Sequence, residues 1–226
     1  ARGGGRVNVL RSAALPVGVI AGAYLLGSIP WSYLVVRWLR GADVRAAGSG
    51  NAGATNVLRL AGKGPGALAL FLDFSKGAVA VAASRALGAS VSLAAGAAIA
   101  VTLGHVFPIF LGLRGGKGVA TGAGAMAILA PIAVLVAAVV FIGVVWVRHM
   151  VSLGSLAAAA TLPFAVLGAQ RWGWLADDGP SRAMAAAAIA TLVVACHRSN
   201  LRRLWRGTER RLGRVAAVET QKHPEQ

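Results

Sequence analysis

Long apolar runs, interrupted by short clusters of glycine, arginine and small polar residues, set the pattern of this chain. The first run covers residues 15–39 and is broken by Gly27-Ser28-Ile29-Pro30. Runs at 65–84 and 91–111 follow, each near the ~20 residues that a helix needs to span a bilayer core. The stretch 119–147, about 29 residues long, is interrupted only by Pro131 and several glycines. As one helix it would be about 43 Å long, against a core about 30 Å thick. It is therefore either one tilted helix or a shorter helix that breaks near Pro131 and returns. Shorter runs at 155–169 and 183–196 complete the set. Polar segments lie between them at 40–54, leading into an amphipathic piece at 55–61, and at 113–118, 148–154 and 171–182. The last of these holds the turn signal Asp177-Asp178-Gly179-Pro180.

The pattern predicts an all-α, polytopic integral membrane protein. Residues 1–14 are expected to be an N-terminal tail, 15–200 a single membrane unit, and 201–226 a basic C-terminal tail, partly helical. Composition strengthens this reading. Of 226 residues, 57% are apolar and 13% charged, where soluble domains sit near 45–50% and 25%. A soluble fold would lack the polar surface to cover so much Ala, Val and Leu, whereas lipid solvates it. Residues 15–26 do not read as a cleavable signal, because the apolar run continues past them. The single cysteine, Cys196, excludes an internal disulfide and a multi-thiolate zinc site.

Charge adds direction. There are 23 basic and 7 acidic residues, for a net +16. Positive-inside bias with attraction to anionic lipid is one source, and an anionic substrate, which would use only a few of the charges, is another. Nucleic acid is excluded as a partner, since the basic residues flank apolar spans and form no single stripe. With a break at Pro131 there are seven spans, and 16 of the 23 basic residues fall on one side. Six spans would move the Arg148 junction to the side opposite Lys117. Seven spans, with the N-terminus outside and the C-terminus cytoplasmic, gather every unusual loop on the basic side.

Those loops carry the candidate chemistry. The first reads Gly48-Ser49-Gly50-Asn51-Ala52-Gly53-Ala54-Thr55-Asn56 and closes on Arg59. Glycines let backbone N–H groups converge on an anion. Asn51 or Thr55 can cap the following helix, whose N-terminus attracts phosphate. A mere connector does not need nine small residues in a row. The second motif is Gly104-His105-Val106-Phe107-Pro108 followed by Arg114-Gly115-Gly116-Lys117-Gly118. Its glycines would expose backbone donors beside a cation. It is not a Walker A loop, because Gly118 stands where Ser or Thr must follow the lysine. His105 reads as a structural hydrogen-bonder rather than a ligand. In the third, Arg148–Ser155, Ser152 and Ser155 either donate to phosphate oxygens or cap a helix. In the fourth, His197 and Asn200 lie three apart and point the same way. They either hold one substrate or belong to a basic tail lying on anionic lipid. Asp73 and Lys76, three apart inside a span, are either functional or a pair that fixes helix packing. The seven acids form no paired-carboxylate constellation, no His-x-x-x-x-Asp box occurs, and no metal-ligand spacing is present, so neither cofactor nor metal is expected.

Taken in order, Gly27-Ser28-Ile29-Pro30, Asp43-Val44-Arg45, the 48–56 loop, the Gly104…Gly118 stretch, Ser152–Ser155 and His197-Arg198-Ser199-Asn200 resemble the bacterial membrane acyl-phosphate:glycerol-3-phosphate acyltransferase family, over residues 23–209. The resemblance implies seven spans and transfer of a fatty acyl group from acyl phosphate to the 1-hydroxyl of glycerol 3-phosphate. The products would be lysophosphatidic acid and inorganic phosphate, in the first step of phospholipid synthesis. It implies catalytic roles for Ser49, Arg59, Lys117, His197 and Asn200. Phosphate contacts would come from Arg45, Gly48, Gly50, Asn51, Gly53, Thr55, Asn56, Gly115, Gly116, Gly118, Ser152 and Ser155. Phosphate itself, or His197, would accept the hydroxyl proton. A monomer in the bacterial inner (plasma) membrane, embedded in membrane lipid with its site facing the cytoplasm, is expected. The competing reading is a secondary transporter of an organic phosphate, which would place its polar residues near the midplane in two related halves.

Overall fold

A computed structural model describes residues 3–176 and 179–212, with side chains from residue 14 onward. Asp177, Asp178 and the chain beyond Leu212 lie outside the described residues. The described residues form ten α-helices: α1 (Gly3–Ser28), α2 (Trp31–Arg40), α3 (Ala54–Ala61), α4 (Lys63–Ala86), α5 (Val91–Val106), α6 (Val119–Leu129), α7 (Pro131–Arg148), α8 (Val151–Arg171), α9 (Ser181–Cys196) and α10 (Arg198–Trp205). Five segments are long and apolar enough to cross a membrane: Ala14–Arg40, α4, Val91–Leu111, α7 and α8. The pair α9–α10, bent by 61°, makes a sixth if counted as one span. Helix α6 is apolar but only 11 residues long, about 16 Å, too short to cross alone.

The breaks have local causes. Pro30 cannot donate a backbone N–H, so the chain interrupts itself between α1 and α2. Ile29 there offers its carbonyl to Lys76 Nζ at 2.8 Å. Of the two options for 119–147, the fold takes the break: Pro131 starts α7 at a position where its missing N–H costs nothing. Helix α1 begins at Gly3, inside the stretch expected as a tail. Helix α8 is longer than its expected 155–169 and includes Ser152 and Ser155. The junction before it shrinks to a tight turn in which His149 adopts φ +55°.

Helix α4 packs closely on α6 because glycines line the contact. A Cβ at Gly77 would collide with the Thr121 carbonyl, and one at Gly124 with the Phe74 carbonyl. Around this pair, small residues of α5, α6 and α9, among them Ala94, Ala98, Val101, Ala125 and Ile189, form the main core. A second cluster of Val35, Val36, Val44, Val57 and Ala69 seats the 41–53 loop and α3 against α2 and α4. Helix α7, with only 11% of its apolar window buried against 61% for Val91–Leu111, turns its surface outward to lipid.

Candidate active site

The loop motifs and helix ends meet around one cavity of about 580 Å³. Its polar wall is drawn mainly from Ser49–Arg59, Lys117, α8's first turns and residues 197–210. Its apolar wall comes from helix interiors: Leu70, Phe71 and Phe74 of α4, Phe141 of α7, Leu162 of α8 and Ile189 of α9.

The centre of the polar wall is a hydrogen-bonded chain. Lys117 Nζ donates to Asn200 Oδ1. The Asn200 amide donates in turn to Glu209 Oε1 at 2.8 Å. Ser152 Oγ donates to the same oxygen at 2.9 Å, and Arg203 Nε to Glu209 Oε2 at 2.8 Å. Burial raises the Glu209 pKa, but the bonds from Asn200, Ser152 and Arg203 outweigh it and leave the carboxyl below its ordinary value. An ionised carboxylate with both oxygens engaged is a poor proton acceptor, so Glu209 orients its neighbours. Burial, aided by the like charges of Arg203 and Arg59 and opposed by Glu209, brings Lys117 down to about 8. Arg59 also lines the cavity, and its pKa is lowered by burial and by Arg210 and Arg203. Arg59, Lys117, Arg203 and Arg210 thus face one space with Glu209 the carboxylate among them, an arrangement that attracts anions. His197 is buried, and its Nδ1 lies 2.7 Å from the Val193 carbonyl. A carbonyl only accepts, so Nδ1 carries the ring proton and Nε2 is left as an acceptor.

Of the residues expected at the site, Ser49, Asn51, Gly53, Thr55, Asn56, Arg59, Lys117, Gly118, Ser152, Ser155, His197 and Asn200 all line the cavity. Several do so for reasons other than those expected. Neither Asn51 nor Thr55 caps α3; its N-cap is Gly53, with no side-chain cap bond. Asn56 organises the loop: its Oδ1 accepts from Ser49 N (2.9 Å), and its Nδ2 donates to Val44 O (2.7 Å) and Ala47 O (3.1 Å). Ser152 engages Glu209, and Ser155 donates to the Val151 carbonyl at 2.9 Å. Neither serine caps α8, whose N-cap is Met150. His197 and Asn200 are buried in the wall rather than laid on a lipid surface.

Five expected residues lie outside the cavity lining. Arg45 is held by Asp43 at 2.8 Å, donates to the Leu111 carbonyl at 3.1 Å and sits 5.7 Å from the Tyr33 ring centroid. Gly48 and Gly50 shape the turn at φ +65° and +69°, and Gly50 N–H bonds to Ala47 O. The N–H groups of Gly115 and Gly116 do not face an anion either. They donate to the carbonyls of Val106 and His105, at 3.1 Å each.

Glu209, Arg203 and Arg210 were missed as site residues, and they carry the cavity wall past residue 200, the limit expected for the membrane unit. The available signal was a lone acid within a run of arginines, at the end of the His197 motif. Asp73 and His105 also border the cavity, with His105 Nδ1 3.4 Å from the Asp73 carboxylate. Among the described residues no three His, Cys, Asp or Glu side chains converge as a metal site requires.

Known proteins share this arrangement of chain. The family profile "Glycerol-3-phosphate acyltransferase" matches residues 17–207. The chain is 47% identical over 189 residues to a glycerol-3-phosphate acyltransferase of Myxococcus xanthus, covering 83% of this chain and 95% of that one. It is 46% identical over 191 residues to glycerol-3-phosphate acyltransferase 1 of Deinococcus radiodurans, covering 84% and 92%. Among solved structures it resembles PlsY (YgiH), an integral membrane glycerol 3-phosphate acyltransferase, in its glycerol 3-phosphate form: TM-score 0.77, 36% identity, 88% of this chain and 96% of that one. The lysophosphatidic acid form of PlsY aligns with TM-score 0.75 and 34% identity, covering 88% and 95%.

Proposed function

Because the chain belongs to the glycerol-3-phosphate acyltransferase family, we infer that it is an enzyme that transfers a fatty acyl group to the 1-hydroxyl of glycerol 3-phosphate. The donor is acyl phosphate, and the products are lysophosphatidic acid and inorganic phosphate. The observation that carries this reading is the two-natured cavity: Arg59, Lys117, Arg203 and Arg210 beside aromatic and aliphatic walls in one continuous space. Both substrates carry phosphate and one carries an acyl tail, so one cavity must neutralise charge and solvate hydrocarbon.

The proposed chemistry begins with an activated donor. The 1-hydroxyl oxygen attacks the acyl carbonyl carbon, the C–O bond to phosphate breaks, and the electron pair leaves with the phosphate. Lys117 and Arg59 neutralise that leaving charge, and electrostatic stabilisation of this kind supplies much of a rate enhancement. Ser49 and the N-terminus of α3 hold the second phosphate. The hydroxyl proton passes to His197 Nε2 or to a phosphate oxygen. Replacing His197 by Asn separates these routes: near-full turnover at neutral pH assigns the proton to phosphate. Positioning of both substrates on Asn200 and Ser152 contributes the rest.

The proposal extends to topology. Counting α6 as a short seventh span, the proposal puts the N-terminus outside and the polar wall toward the cytoplasm of the bacterial inner membrane, with the protein acting as a monomer. Cysteine-labelling from either side of sealed vesicles tests the orientation. The function is tested by mixing purified protein with palmitoyl phosphate and glycerol 3-phosphate. Phosphate release that requires both, with lysophosphatidic acid formed, is the expected result. No release from folded protein overturns the reading.

A further inference from the structure

Outside the polar wall, the most heavily charged buried cluster lies on α4. Asp73 is 1% exposed and Lys76 4%. Asp73 Oδ1 faces Lys76 Nζ at 3.0 Å and His105 Nδ1 at 3.4 Å, and Oδ2 accepts from Ser32 Oγ at 2.9 Å. Burying charge inside a span is costly unless it does something. Closing the α1–α2 break accounts for Lys76, which bonds the Ile29 carbonyl. It does not account for the side of Asp73 that faces α5 and α6.

That side reaches the loop bearing Lys117. His105 ends α5, immediately before the loop, and Thr121 lies in the first turn of α6, immediately after it. The Asp73 carboxylate contacts His105, while the Asp73 carbonyl accepts from Thr121 Oγ1 at 2.9 Å. The His105 carbonyl in turn accepts from Gly116 N–H. The His105 ring lies so close to Gly116 that a Cβ there would overlap Nε2. The residue next to Lys117 is thus packed directly on the imidazole that lies against the Asp73 carboxylate.

We infer that Asp73 is a positioning residue for Lys117, its carboxylate acting through the His105 ring near the end of α5, while its main-chain carbonyl anchors Thr121 whatever side chain stands there. The inference rests on the acyltransferase reading above, in which Lys117 neutralises phosphate. Asp73 itself does not take part in the reaction; it fixes where the ammonium stands relative to Asn200. A misplacement of about 1 Å at such a group costs a large factor in rate.

The test is a double-mutant cycle on kcat/KM with palmitoyl phosphate and labelled glycerol 3-phosphate, in detergent-purified full-length protein. The wild type is assayed first, since absence of turnover there overturns the function reading and not this one. With an active wild type, Asp73→Asn is expected to lower kcat/KM at least about tenfold and to displace the alkaline limb of the pH profile. Added to Lys117→Met, it is expected to cost no more than about a further twofold. Multiplicative losses with an unmoved limb would show that Asp73 serves packing alone. If Asp73→Asn does not yield folded protein, because Lys76 is left unpaired, Gly116→Ala takes its place. That change pushes on His105 without touching the ion pair, and the same two outcomes decide.

Discussion

The two glycine-rich loops look alike in sequence and work differently. In the 48–56 loop, glycines make turns that bring the start of α3 to the cavity, so that Gly53, Ala54 and Thr55 border it. The first N–H groups of a helix lack partners one turn back; Asn56 and Val57 bond the Gly53 carbonyl, which leaves the N–H groups of Ala54 and Thr55 to face an anion. In the 114–118 loop, the N–H groups of Gly115 and Gly116 are already occupied by Val106 and His105. Its glycines serve close approach: the space a side chain would need at Gly116 is filled by the His105 ring. One loop offers backbone donors, and the other delivers a single side chain, Lys117. Glycine density therefore marks a site here without saying which atoms act.

If that contrast is right, the largest loss comes from Lys117. Lys117→Met is expected to lower kcat/KM by about 100-fold, the scale of losing one preorganised charge-stabilising donor; a change under about threefold removes Lys117 from the site. Next is pH. The Lys117 pKa of about 8 is below the usual lysine value, so its charge is present below pH 8 and lost above it. kcat/KM should fall progressively above about pH 8 in the wild type, and Lys117→Arg should abolish that limb, since arginine stays protonated. The first loop is probed through its organiser. Asn56→Ala removes bonds to Ser49, Val44 and Ala47 and is expected to cost about 2 kcal/mol of stability. It should also raise KM for glycerol 3-phosphate, read from thermal unfolding and kinetics together. The smallest effect is expected for Arg45→Gln, because its guanidinium is already engaged by Asp43 and Leu111. KM for both substrates should stay within about twofold; a tenfold rise would place Arg45 on substrate after all.

What was legible in the sequence follows from the same physics. Apolar runs announce helices, Pro131 announces a break, and a lone lysine among glycines announces a site, because each signal is local. Asn56, His197 and Asn200 stand in such local motifs, and all three line the cavity. The direction of the Gly115 and Gly116 N–H groups was not, since it depends on where the end of α5 lies in space. Glu209 escaped for a similar reason. An acid within a run of arginines looks like a solvated tail until Ser152 and Asn200, from two other helices, are brought to it. Arg45 misled in the opposite sense, because its partner Asp43 is two residues away and was read only as part of a motif.

The place of Glu209 and Arg210 in the wall also bears on how the molecule is made. Among the described residues every candidate span precedes them, so the carboxylate that Asn200 and Ser152 bond is one of the last parts of the wall to leave the ribosome. The wall closes only once the segment after α10 folds back and Leu212 N–H bonds to the His149 carbonyl at 2.6 Å. A stop codon just after Asn200 would leave a fully inserted protein with an unassembled site.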